Sequence, residues 1–396
     1  MSRIPPKPIL LRNRLATSES RRSALALPAM FSALDHEMMA RALALAAKAR
    51  CWARPNPHVG CVLLKEGVVV GEGYTQPAGA DHAEVVALQA AGAAAKDATA
   101  YVTLEPCAHQ GKTPPCSQAL VSAGVTRVVV AVTDPNPKVD GQGLAQLREA
   151  GVTVQHGLLA SSVEEQLAGF LARQRRGRGR LRAKLAMSLD GRTAMASGES
   201  QWITGPEARR DVQNLRAESC AIVTGVGTVL ADDCALTIRE VPFGEAHLAP
   251  ESRRALRVVA DSQLHTPADA AVLAGDQPSL LVHASDALVP EALATAPLHA
   301  IGLHDGTLNL EELLAELARR ECNEILLESG PRLAGSMLSA GVLDELIVFI
   351  APKLMGSSAR PLFDLPLEKM IDARRLELLE QNRVGQDLRL RLAVVA

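Results

Sequence analysis

Aromatic residues are scarce in this chain: two Trp, two Tyr and five Phe among 396 residues, or 2%. So few aromatic faces exclude a stacking platform for single-stranded nucleic acid. Charge of one sign is also lacking. The 42 Lys and Arg balance 44 Asp and Glu to a net charge of -2, which excludes a protein that grips nucleic acid as a polycation. No apolar run reaches the about 18 residues that a membrane-spanning helix needs. The seven cysteines are an odd number, and no secretory leader with a long apolar core precedes them. A disulfide framework is therefore excluded, and the chain reads as a cytoplasmic protein whose clustered cysteines serve a metal or chemistry. What remains is ordinary globular composition, 47% hydrophobic and 22% charged, at a length that suggests about two domains.

Residues 1–30 stand apart. Arg3, Arg12, Arg14, Arg21 and Arg22 face a single acid, Glu19, and no strongly amphipathic helix is visible. This composition fits a transit peptide or an upstream start, but the expectation is a disordered extension. From Asp35, a helix cap, Met38, Met39, Leu43, Leu45 and Ala46 form an apolar face at helical spacing. Strands follow at 59–64, 68–70, 101–104 and 127–132, alternating with helices that open at His82 and Cys116. This alternation predicts a three-layer α/β domain over 31–172. Six arginines then fall within ten residues (173, 175, 176, 178, 180 and 182), with Gly177 and Gly179 between them. A basic Gly/Arg run can meet phosphate, but without interleaved aromatics it reads as a solvated linker over 173–182. Alternation resumes over 183–396, with strands near 183–187, 221–224, 256–260, 279–282, 324–327, 346–350 and 388–392. Helices fit 206–217, 310–319 and 332–340, giving a second α/β domain with no repeat of the first.

The strongest chemical signal is His82-Ala-Glu84, then Pro106-Cys107, then Pro115-Cys116. One His and two Cys supply three zinc ligands and leave a fourth position for water, the mark of a catalytic site. Zinc acidifies that water, and Glu84 stands two residues beyond His82, placed to carry protons from water to a ring nitrogen and a leaving amine. His-x-Glu followed by Pro-Cys and a second Cys is the signature of zinc nucleobase deaminases. Each residue alone would read as packing; their order and their positions at helix starts argue for chemistry.

The cysteines here are nine residues apart, against three in the short form of that signature. The string Thr103-Leu-Glu-Pro-Cys-Ala-His-Gln-Gly-Lys-Thr-Pro-Pro-Cys116 resembles the deaminase half of the bifunctional riboflavin-biosynthesis enzymes. So do Pro55-Asn-Pro-His-Val-Gly-Cys-Val62, Gly71-Glu-Gly-Tyr74 and Asp134-Pro-Asn-Pro137. The resemblance implies a cytidine-deaminase-like fold and, as substrate, 2,5-diamino-6-(5-phosphoribosylamino)pyrimidin-4-one. His109 and Lys112 in the inter-cysteine loop are then candidates for its phosphate. Asn56 is a candidate to read the pyrimidine edge, with a turn former as its alternative.

In the second half, Lys184-Leu-Ala-Met-Ser-Leu-Asp-Gly-Arg-Thr-Ala194, Gly198–Gly205, Thr224–Asp233 and Glu328–Ser336 resemble the reductase half of the same family. That implies a dihydrofolate-reductase-like fold and NADPH. Gly225-Val-Gly227 alone does not make a Rossmann fingerprint, because Leu230 occupies the place of the third glycine. The resemblance places Ala186, Trp202, Thr228, Asp232, Ser262 and the loop Gly330, Pro331, Arg332, Leu333, Ala334, Gly335 and Ser336 at cofactor positions. It places Ser200, Arg216, Leu236, Arg239 and Glu328 at substrate positions, with Arg216 and Arg239 suited to clamp a ribose phosphate. Core packing is the alternative for Trp202, and a solvated helix face for Arg216. Cys234 departs from the family, which usually has proline there.

The expected protein is thus a zinc- and NADPH-dependent deaminase–reductase of small phosphorylated pyrimidines, a homodimer or homotetramer with no nucleic-acid or membrane partner. The alternatives are a tRNA deaminase with an accessory domain and a binding protein with structural zinc. Charge and the long inter-cysteine loop oppose the first. Three ligands rather than four, beside Glu84, oppose the second.

Overall fold

The structure, a computed structural model, describes residues 31–108, 115–137, 139–239 and 255–395. The segment 1–30 lies outside these residues, as do His109 and Lys112.

The first helix, α1 (Ala33–Lys48), starts from Ser32 rather than from Asp35. The Asp35 amide donates to Ser32 Oγ at 3.1 Å, and the Ser32 amide donates to the Asp35 carboxylate at 2.8 Å. Asp35 therefore closes a capping box as its third residue instead of capping the helix itself. Its carboxylate is buried and also accepts from Tyr101 at 2.8 Å and Arg127 at 2.7 Å, which pins α1 to the sheet beneath.

That sheet contains β1 (Gly60–Lys65), β2 (Val68–Tyr74), β3 (Thr99–Leu104), β4 (Arg127–Val132) and β5 (Thr153–His156), in the order β2-β1-β3-β4-β5. The tight Glu66-Gly67 turn makes β1 and β2 antiparallel, and β1 also runs antiparallel to β3. Helical crossovers through α3 (Cys116–Ser122) and α4 (Gln142–Glu149) make β3, β4 and β5 parallel. The helix α2 (Ala83–Ala91) joins β2 to β3, and α5 (Ala160–Gln166) and α6 (Ala168–Arg176) close the layer. The middle strands are largely apolar because both faces are covered, and Val128, Val129 and Val130 are fully buried.

The second sheet has nine strands. They are β6 (Arg180–Ser188), β8 (Ala221–Gly225), β9 (Leu256–Ala260), β10 (Ser279–Ala284), β11 (Leu298–Ile301), β14 (Glu324–Leu327), β15 (Glu345–Ala351), β17 (Leu376–Val384) and β18 (Asp387–Val394). Two short ribbons, β7 (Arg192–Ala194) with β16 (Arg360–Pro361) and β12 (Leu303–His304) with β13 (Thr307–Leu308), lie outside it. The order is β11-β10-β9-β8-β14-β6-β15-β18-β17, parallel from β11 to β15 and closed by the antiparallel hairpin β17–β18. The helices α7 (Pro206–Glu218), α8 (Val226–Asp232), α9 (Leu310–Arg319) and α10 (Pro331–Ser339) cover its faces. The α/β character expected of both halves is what the chain adopts.

The arginine run is not a solvated linker. Its first residues finish α6, Gly177 turns the chain at φ 70°, and β6 has begun by Arg180. Arg178 lies in the bend just before β6, and Arg180 and Arg182, two apart on the strand, share one face. Arg178 meets Asp344 at 2.7 Å, Arg180 meets Glu324 at 3.1 Å, and Arg182 meets Glu324 at 3.2 Å. The carboxylates follow from strand register, since Glu324 on β14 pairs with Arg180 and Glu345 on β15 with Arg182. Asn323 adds a bond across to the first half, donating to the Pro55 carbonyl at 2.9 Å.

Candidate active sites

The first site assembles where β2 and β3 hand over to helices. His82 is the N-cap of α2 and Glu84 lies in its first turn. Cys107 follows the end of β3, and Cys116 opens α3 behind Pro115. The Nδ1 of His82 lies 3.3 Å from Cys116 Sγ and 3.7 Å from Cys107 Sγ. The three ligand atoms lie within 4.8 Å of one another. Tetrahedral zinc at ordinary Zn–N and Zn–S lengths sets nitrogen and sulfur about 3.6 Å apart, so these residues fit one zinc ion and leave its fourth position open.

The site is prepared for thiolate. A hydrogen bond from the Cys116 thiol, then one from His82 and one from the Cys116 amide at 3.3 Å, hold the Cys107 thiol well below its ordinary pKa. As donor to Cys107 and a buried thiol, Cys116 keeps its proton far longer. Glu84 is 4% exposed, and burial, reinforced by the Cys107 charge, pushes its carboxyl up to about 7. A carboxyl in that range can take a proton and return it near neutral pH.

The second site is a cavity of about 1180 Å³ at the carboxyl ends of the parallel strands, where open α/β sheets place their ligands. Among the expected residues, Ala186, Ser200, Trp202, Arg216, Thr228, Asp232, Leu236, Arg239, Ser262 and Glu328 line it. So do Gly330, Pro331, Arg332, Leu333 and Ser336. Trp202 is 61% exposed, which excludes core packing, and the Arg209 guanidinium lies 4.6 Å from its ring centre. α8 and α10 begin at Gly225 and Gly330 with no side-chain cap, so their first amide groups are free to face an anion.

Two expected cofactor residues point the other way. Ala334 is fully buried in the core. Gly335 packs α10 against the 364 backbone so closely that a Cβ would sit 2.1 Å from the Asp364 carbonyl oxygen. On a helix that meets the cavity with one face, residues four and five positions past Gly330 turn inward.

Arg216 is also differently employed from an open phosphate clamp. Its Nε and Nη2 donate to the two Glu328 oxygens at 2.6 and 2.8 Å, and Nη1 to the Thr237 carbonyl at 2.8 Å. Burial works to raise the Glu328 pKa, but Arg216 and Lys184 outweigh it and hold it below the ordinary value. Lys184, the first residue of the 184–194 motif and outside the expected site residues, also lines this cavity, and burial lowers its pKa. The signal for it was β6 itself: residues 184 and 186 lie two apart on one strand and share a face.

Asn56 lies in the turn that leads into β1 and lines a separate cavity of about 650 Å³ between the halves, with Arg50, Arg54 and Glu218.

A His/Cys/Cys centre with a buried carboxyl defines a zinc-type deaminase site, joined in one chain to an open parallel sheet with a ligand-sized cavity at its strand ends. Comparison with known proteins bears this out. The family model of the cytidine and deoxycytidylate deaminase zinc-binding region matches residues 32–132, and that of the RibD C-terminal domain matches 180–390. The chain is 52% identical over 365 residues to the riboflavin biosynthesis protein RibD of Escherichia coli, covering 90% of this chain and 99% of that protein. The RibD of Haemophilus influenzae is 47% identical, over 91% of this chain and 97% of its own length. A solved structure of Acinetobacter baumannii RibD, 41% identical, superposes with a TM-score of 0.84 over 92% of this chain and 99% of that one. The chain belongs to the RibD family, the bifunctional enzymes of riboflavin biosynthesis that join a zinc-dependent deaminase to an NADPH-dependent reductase. These matches do not favour a tRNA deaminase. Among the described residues no helix is long and apolar enough to cross a membrane.

Proposed function

We propose that the chain removes the 2-amino group of 2,5-diamino-6-(5-phosphoribosylamino)pyrimidin-4-one as ammonia. It then reduces the ribosyl group of the resulting 5-amino-6-(5-phosphoribosylamino)uracil to ribityl. The observation that carries the reading is the convergence of His82, Cys107 and Cys116 around buried Glu84. His82 Nδ1 and the two cysteine sulfurs would hold zinc, which would supply the Lewis acidity that makes water nucleophilic at neutral pH. Glu84 accepts one proton of water on its carboxylate and passes it to the ring nitrogen, then takes the second from the new hydroxyl group and passes it to the departing amine. His109 and Lys112 hold the phosphate from the inter-cysteine loop.

In the reductase half, bound NADPH would supply the hydride for the anomeric carbon of the ring-opened imine, with a proton from water completing the amine. The amides at the start of α10 hold a cofactor phosphate, and Ala186, Trp202, Thr228, Asp232 and Ser262 line its path. Because Arg216 is engaged by Glu328, Arg239 is the better placed cation for the ribose phosphate. Glu328, Lys184 and Arg216 orient the pyrimidine as one ion-paired group, with Ser200 and Leu236 completing the wall.

The proposed assembly is a homodimer, in the cytoplasm. The edge strand β17 exposes Leu376 and Leu378, and Met370 and Ile371 beside it are 91% and 88% exposed, an apolar edge that a second copy would cover.

The test is a paired assay on the purified protein. Ammonia release without NADPH, followed by NADPH consumption that depends on it, is the expected result. NADPH consumption by the undeaminated substrate would overturn the order, and absence of ammonia would overturn the first step.

A further inference from the structure

The helix α4 lies beyond residue 132, where the match to the zinc-binding region ends, yet three separate contacts tie it to the turn that carries Cys107. Its N-cap is Gly141, at φ 83° and without a side chain to satisfy the first amide groups. Glu105, buried at the end of β3, satisfies them from outside the helix. Its Oε1 accepts from the Gly143 and Leu144 amides at 2.9 and 3.2 Å, and its Oε2 from those of Gly141 and Asp134 at 3.0 and 3.2 Å.

The second contact is steric. At Gly143 the helix comes so close to the turn that a Cβ would sit 2.0 Å from the Pro106 carbonyl oxygen, so a residue with any side chain would push the two apart. The third lies one turn along. Gln146 donates from Nε2 to the Ala108 carbonyl at 3.3 Å and accepts from Ser117 Oγ at 2.6 Å. The Ser117 amide donates in turn to the Cys107 carbonyl at 3.2 Å. Residues on both sides of Cys107, and the residue after Cys116, are thus fixed to one helix.

We infer that α4 is a clamp on the metal-bearing turn, with Glu105, Ser117 and Gln146 as positioning residues that set the separation and direction of the Cys107 and Cys116 sulfurs. The inference rests on reading His82, Cys107 and Cys116 as zinc ligands. Outer residues of this kind commonly tune metal affinity by about 10- to 100-fold, because they remove the freedom of the ligands to adopt other geometries.

The test uses the full chain with Gln146→Leu, Ser117→Ala and Glu105→Gln. Zinc affinity is read by competition with a chromophoric chelator, and ligand geometry by the visible absorption of the cobalt(II)-substituted protein. NADPH-dependent reduction of the pre-deaminated pyrimidine reports on folding of the remainder. We expect zinc to bind about 10- to 100-fold more weakly in Gln146→Leu and Glu105→Gln, with altered cobalt bands and unchanged reduction. If Glu105→Gln does not fold, Gln146→Leu and Ser117→Ala decide. Parental zinc affinity and cobalt bands in the variants, even with a lower melting temperature, would overturn the inference and leave α4 a purely structural support. A parent chain that binds no stoichiometric zinc would instead overturn the reading of the ligands themselves.

Discussion

Replacing Glu84 by Gln tests the deaminase chemistry at one atom pair. The change keeps the volume of a side chain that is 4% exposed, so packing around α2 is preserved, and Glu84 is not one of the three metal ligands. What it removes is the group that takes and returns protons. Positioned acid–base groups contribute about 10²- to 10⁴-fold each, so kcat/KM for ammonia release is expected to fall by at least that factor, roughly 3–5 kcal/mol of transition-state stabilisation. Glu84 serves two transfers in succession, which places the expected loss at the upper end. Zinc content, measured by metal analysis, should stay at one per chain. NADPH oxidation with the pre-deaminated intermediate should be unchanged, since that cavity belongs to the other sheet. Ammonia release within a few-fold of the parent, in protein shown to carry zinc, would refute the role given to Glu84.

Three other perturbations follow from the same geometry. Cys116→Ser removes a thiolate from a three-ligand centre, and metal analysis is expected to find the variant without stoichiometric zinc after dialysis. Gly335→Ala drives a methyl group toward the Asp364 carbonyl and should displace α10, costing about 1–3 kcal/mol on thermal unfolding and raising the KM for NADPH while ammonia release persists. Asp35→Asn should cost about 3 kcal/mol at neutral pH by leaving the Arg127 guanidinium without its carboxylate. Burial alone would raise the Asp35 pKa, but Arg127, Ser32 and Tyr101 more than reverse this and hold it well below the unfolded value of 3.8. The stabilisation is therefore complete above about pH 4 and is lost as the pH falls further. Urea unfolding of parent and variant should differ by a constant amount from pH 5 to 8 and converge in acid.

Much of the deaminase centre was legible because its residues punctuate secondary structure. His82 and Cys116 open helices and Cys107 follows a strand, so order along the chain predicts convergence in space. The central strands of both sheets were legible for a related reason, since continuous apolar runs such as Val128–Val132 have no other way to be buried. Four things were not legible. Asp35 looks like a cap because it is polar and precedes an apolar face, but Ser32, three residues earlier, does the capping. The arginine run looks solvated because sequence shows its charge and not the carboxylates on β14 and β15 that register brings beside it. The pairing of Arg216 with Glu328 joins positions 112 residues apart, and only the fold shows that each spends its charge on the other. The inward turn of Ala334 and Gly335 is a matter of helix phase, which a loop-like motif conceals.

The junction between the halves bears on how far the enzyme is modular. Composition suggests a cut anywhere in 173–182, as if two genes had been joined by a disposable spacer. A reductase fragment begun at Ala183 would lose Arg178, Arg180 and Arg182, leaving Asp344 and Glu324 to carry partly buried negative charge that those arginines now balance. A fragment begun at Arg178 would keep that balance, while the deaminase fragment ending at Gly177 would lose none of its own sheet. The natural seam therefore runs a few residues upstream of the place where composition changes back. Anyone separating the two activities, or grafting either half onto another partner, should cut at the glycine turn and leave the arginines with the second sheet.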